Sequence, residues 1–190
     1  MRIDHTLTAV TPAIIISREE FRLYARAVNI TGEDDLIDRQ LEASTRYVET
    51  YIGQSLNENR MQAILWDFDD DRDLDSGEIR YVLPMGPVGA ITAVVGQDLE
   101  GANTTLTADE DYYLLSGGRL RIPSPTAYST YTVNYVAQME YVTQNVKEAI
   151  LKICAELYQN RGISVTGTIV SNLKADLNSL LAKERNKLFL

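Results

Sequence analysis

The chain has 190 residues, a charged fraction of 24%, one cysteine, one histidine and a net charge of −9. That length suits one domain or two small ones with a real core. Lone Cys154 excludes an intrachain disulfide and a thiolate zinc cluster, and Ser-His-Asp or Cys-His chemistry would have to recruit lone His5, beside an N-terminus expected to be mobile.

No apolar run reaches the roughly 18–20 residues that span a bilayer. The stretch "AVTPAIII" (9–16) is short, holds Pro12 and lacks a signal-peptide cleavage pattern. Cytoplasmic synthesis with no membrane partner is the expectation. Ser17 followed by Glu20 is a capping-box signature and opens a predicted helix, "REEFRLYARAV". Glu33, Asp34 and Asp35 begin a second, where acids suit the positive end of the helix dipole. Ile37, Leu41, Ser44, Val48 and Ile52 fall on its apolar face, with Arg39, Glu42, Arg46 and Glu49 directed away, and Gly53 stops it.

From about residue 60 the period changes to two. Ile64, Trp66 and Phe68 alternate, as do Ile79, Tyr81 and Leu83, then Ile91, Ala93 and Val95, and finally Val133, Tyr135 and Ala137. Gly117-Gly118 joins "YYLL" to "RLRI" as a short hairpin. Thr143 starts a third helix with Val146, Ile150, Ile153 and Leu157 in line, Ala149 and Cys154 beside them, and Gly162 at its end. "SNLKADLNSLLAKERNKLFL" closes the chain as a fourth helix carrying Leu173, Leu177, Leu180, Leu181 and Leu188. The fold class is α+β: a small helical bundle (about 17–58 and 143–190), an inserted antiparallel sheet or sandwich (about 60–140) and a C-terminal helix, within a single domain 1–190.

"DFDDDRDLDSGE" (67–78) sets seven carboxylates against one arginine, two thirds of the net charge in one turn. As an EF-hand loop starting at Asp71 it has acids at positions 1, 3 and 5. Ser76 stands where the turn needs glycine, however, and Val82 where a bidentate glutamate belongs. A solvated turn, a calcium site of another kind and a functional acidic surface all stay open. A glycosidase pair needs one carboxyl of raised pKa in a cleft, which a crowded turn does not supply. No phosphate loop and no Gly-x-Ser-x-Gly occurs. An acidic chain without a basic stripe is a poor duplex binder. Eleven Tyr against three Phe favour surfaces buried on assembly. Tyr47 and Tyr51 form a helical i, i+4 pair, and Tyr158 lies on the third helix. The balance is an interaction protein that is not an enzyme and needs no cofactor; the alternative is a calcium- or small-ligand-binding β module.

The order of motifs resembles the head–tail connector (head-completion adaptor) family of long-tailed double-stranded-DNA bacteriophages. The family's Thr-Pro lead-in, capped short helix, acidic start and Tyr-Val-Glu…Tyr-x-Gly-x-x-Leu phrase fall on Thr11, Pro12, Ser17, Asp34, Asp35, Tyr47, Val48, Glu49, Tyr51, Gly53 and Leu56. Its Leu-Pro-x-x-Pro-Val-x-x-Ile phrase is similar to Leu83, Pro84, Pro87, Val88 and Ile91. "DYYLLSGGRLRIP" and "YTVNYVAQ" match two further phrases, and the closing helix matches at Lys147, Ala149, Ile150, Leu151, Tyr158, Asn160 and Arg161. The likeness covers about residues 9–162; the acidic turn and the tail from Ser164 depart from it.

The resemblance implies a virion protein of the neck. It would form a homo-oligomeric ring, a dodecamer, below the portal protein, extend the DNA channel, and seat a stopper or tail-completion protein without sequence-specific DNA binding. In that frame Asp67, Asp69, Asp70, Asp71, Asp73 and Asp75 are the candidate channel-facing acids. Tyr47, Tyr51 and Tyr158 are candidates for the subunit interface. Leu173, Leu177, Leu180, Leu181 and Leu188 are candidates for portal docking, as an apolar stripe on a helix apart from the body.

Overall fold

The computed structural model describes residues 2–11, 14–28, 32–66, 78–123, 128–160 and 176–185. The chain is mixed α+β and divides into two compact units, one built from the N-terminal strand and Asn57–Glu140, the other from Ala13–Leu56 and Tyr141–Lys187.

The helical unit begins with α1 (Arg18–Tyr24), capped by Ser17, whose hydroxyl accepts the Glu20 amide at 3.1 Å. The helix ends earlier than its apolar pattern predicts, because Arg26 takes a left-handed backbone with φ 55°. α2 (Asp34–Ile52) buries Ile37, Leu41, Ser44, Val48 and Ile52, the expected face, and Gly53 closes it at φ 67°. α3 (Gln144–Gln159), capped by Thr143, buries Val146, Ala149, Ile150, Ile153 and Cys154, while Leu157 is exposed. Burial pushes the Cys154 thiol up to about 12, so it stays a protonated core group. Within the described part of the tail, residues 176–181 form a short helix, α4.

The β unit holds two sheets. A five-stranded antiparallel sheet runs β1 (Arg2–Thr11), β2 (Glu58–Trp66), β8 (Thr130–Ala137), β4 (Val88–Gln97), β5 (Asn103–Thr105). A three-stranded sheet runs β3 (Ile79–Val82), β7 (Arg119–Ile122), β6 (Tyr113–Leu115). Leu65, Val94, Tyr131, Val133 and Tyr135 from the larger sheet pack with Ile79, Tyr81, Leu83, Leu120 and Ile122 in one core. The buried Tyr135 hydroxyl donates to the Pro84 carbonyl at 2.9 Å, which satisfies the one polar atom that this ring carries into the core. Gly117 and Gly118, both at positive φ, make the β6–β7 turn as expected.

Two face assignments and the state of the N-terminus differ from expectation. On β2 the core face is Met61, Ala63 and Leu65, with Ile64 and Trp66 half-buried on the other side. The face that pairs with the second sheet outcompetes the one carrying the largest ring. On β4, register shifts at Val88/Ala90 and Ile91/Ala93 break the period of two, so Val94, not Ala93 or Val95, is fully buried. The N-terminus, expected to be mobile, is the ten-residue strand β1, with His5 opposite Ala63.

Candidate assembly surfaces

On the helical unit, Ala43, Arg46, Tyr47, Thr50 and Tyr51 line a shallow depression of about 470 Å³ along the outer side of α2. The i, i+4 spacing stacks the Tyr47 and Tyr51 rings, with centroids 6.4 Å apart and planes 14° from parallel. Tyr47 is 50% exposed. Tyr51 is more covered: its hydroxyl donates to Asn178, and the Arg185 guanidinium lies 5.2 Å from its ring centroid. The depression therefore has an open half at Tyr47 and an anchored half at Tyr51.

Tyr158 differs from its expected place at an interface. It is buried, its ring meets Phe21 edge-on at 5.5 Å, and its hydroxyl donates to Glu33. The internal partner was invisible to spacing, because Phe21 and Glu33 come from other segments of the chain. Glu49, expected on the solvent side of α2, is 1% exposed. It accepts the Leu56 amide at 2.8 Å and an Arg46 N–H at 3.0 Å. The turn after Gly53 folds the chain back over the helix end and covers it.

The C-terminal leucines are corrected in the same way. Leu177 is 2% exposed and Leu181 0%, with Leu180 half-buried, so α4 presents no free apolar stripe there. Polar contacts fix it in the helical unit: Lys152 to Asp176 at 3.2 Å, Thr143 to Glu184 at 3.0 Å, and the Gln54 amide to the Glu184 carbonyl at 2.6 Å. An i, i+4 leucine pair will bury against any nearby apolar surface, and the bundle supplies one. Leu173 and Leu188 lie outside the described residues.

Asp67, Asp69, Asp70, Asp71, Asp73 and Asp75 also lie outside them. The last acid of that stretch, Glu78, is described, and it is not a free charge. It is nearly buried at the start of β3, accepts from Arg121 Nε at 3.0 Å and from Arg80 at 3.3 Å, and takes a second bond from Arg121. These guanidiniums, Arg121 first, hold its carboxyl below the ordinary range. Arg121 also lies 5.3 Å from the Tyr113 ring. No group of three or more His, Cys, Asp or Glu that could hold a metal occurs among the described residues.

These features define an α+β protein whose described surface carries an aromatic patch and open sheet edges. A family model described as "Head completion protein" matches residues 14–168. The chain belongs to that family. Solved structures similar to it are a chain of the virion of a native gene transfer agent particle (17% identity, TM-score 0.70, covering 96% of this chain and 95% of that one) and a chain of the neck of an empty particle of that agent computed with C6 symmetry (19%, 0.68, 98% and 96%). A chain of the neck of the native particle computed with C12 symmetry is also similar (19%, 0.66, 98% and 96%). At these identities the likeness establishes a shared fold. A search of the curated proteins found no match.

Proposed function

We propose that the chain is a structural head–tail connector of a tailed phage or phage-like particle, acting in the virion neck as a ring below the portal that continues the DNA channel and seats a stopper or tail. The observation that carries this is family membership over residues 14–168, joined to a fold shared across nearly the whole chain with neck proteins. A reconstruction with C12 symmetry of such a neck supports a ring of twelve. A closed ring requires two different patches on each copy.

In this reading Tyr47 and the open half of its depression meet a neighbouring copy, because a half-exposed aromatic on a rigid helix adds apolar area with little entropy to lose. The acids at 67–75 face the channel, where negative walls let DNA slide without holding it. The experiment is genetic. Particles lacking this chain are expected to package DNA into heads that carry no tail and leak their contents, and the wild-type chain restores tailed particles. Normal tailed, infectious particles in its absence overturn the reading.

A further inference from the structure

β1 is a ten-residue edge strand of the larger sheet. It lies at one edge, bonded to β2 alone among the described strands. Asp4 through Ala9 are exposed, so both faces of the strand are open. His5 and Leu7 stand opposite Ala63 and Met61, which are core residues. The inner face of the sandwich therefore runs out onto β1 without a cover, and Leu7 is 45% exposed. A long open edge with an uncovered apolar side chain is a liability unless another chain completes it.

The opposite edge of the same sheet is open in a complementary way. β5 pairs with β4 at Val95, Gly96 and Gln97, and the chain then turns inward at the buried Leu106, whose amide bonds to the Val94 carbonyl at 2.8 Å. Val88–Ala93 has β8 on one side and no described strand on the other. Its exposed residues, Gly89, Ala90 and Thr92, are small. Every neighbouring pair in this sheet is antiparallel, so β1 and β4 run in opposite directions.

We propose that β1 of one copy pairs antiparallel with the open half of β4, Val88–Ala93, on the next copy, joining the sheets of adjacent subunits head to tail. This rests on the ring reading and supplies its two unlike patches. Copies related by rotation about an axis along the strands keep their strand directions, so β1 arrives at β4 with the polarity that an antiparallel ladder needs. The incoming strand lies in line with β5 and covers the free edge that β5 leaves. A second copy is favoured over another protein because both halves of the joint belong to each chain, and repeating one heterologous joint is what closes a ring.

Within one chain β1 and β4 are separated by β2 and β8, three strand spacings or about 14 Å, beyond the reach of a disulfide. Cysteine pairs therefore report contact between copies. Necks are prepared from particles carrying Thr6→Cys with Thr92→Cys, or Thr6→Cys with Ala90→Cys, and oxidised before non-reducing electrophoresis. The expected result is a ladder of cross-linked multimers of this chain for at least one pair, and monomer for each single variant. Dimers from Thr6→Cys alone mean that β1 pairs with β1, and overturn the proposal. Cross-links to a different protein, or none in necks that images show to hold a ring, also overturn it while leaving the ring standing. Wild-type necks without any ring overturn both readings.

Discussion

Glu49 accepts the amide proton of Leu56 and an N–H of Arg46 while almost wholly buried. Removing it orphans a buried backbone donor, which costs about 1–3 kcal/mol. Glu49→Ala is therefore expected to lower the urea midpoint by that equivalent, with Glu49→Gln milder because the amide oxygen still accepts; equal midpoints for Ala and wild type contradict this. Glu78 gives a pH-dependent counterpart. Its folded carboxyl is held below its ordinary value of 4.5, so the stability it adds is present above that value and is lost as pH falls through the lowered one. Glu78→Gln should melt below the wild type at pH 7, and the gap should close on acidification below about 4.5. A gap that widens in acid would contradict the assignment.

At the scale of elements, α4 belongs to the core of the helical unit. Leu181 is fully buried, and Leu181→Ala is expected to cost about 2–5 kcal/mol in chemical denaturation, whereas a leucine on a free docking stripe would cost less than about 1 kcal/mol. The same element shows where sequence reading stops. Helical periodicity located α2 with its face and both of its ends, since Ile37, Leu41, Val48 and Ile52 bury as a local pattern and Gly53 terminates it. It also marked the leucines of α4 as one side of a helix. Periodicity cannot say whether such a side meets the chain itself or another molecule, and for α4 the answer depends on α2 and α3, distant in sequence. Tyr158 failed for the same reason, through Phe21. Strand β1 is weakly marked in the sequence, because the alternation Thr6-Leu7-Thr8-Ala9 is short and carries one large apolar side chain; backbone pairing with β2 defines it. On β4 two register shifts displaced the buried position by one residue. Of the candidate interface on α2, spacing alone indicates that Tyr47 and Tyr51 stand together, as their rings do.

Across the whole molecule, the proposed channel wall concentrates charge in one segment and repeats it around a ring. Replacing Asp69, Asp70, Asp71 and Asp73 with Asn removes four charges per subunit and keeps the turn preference of the side chains. Assembly should survive, with slower or incomplete DNA ejection that recovers at high salt as screening shortens the field. Loss of assembly with normal ejection from residual particles would move these acids to a subunit contact. The place of the chain in a particle is read most plainly by a cryo-electron microscopy reconstruction of the neck of particles that carry it. A closed ring of identical copies directly beneath the portal is expected, coaxial with the DNA channel, with the β units of neighbouring copies in contact. Density for this chain elsewhere in the particle, or a neck without it, would overturn that placement.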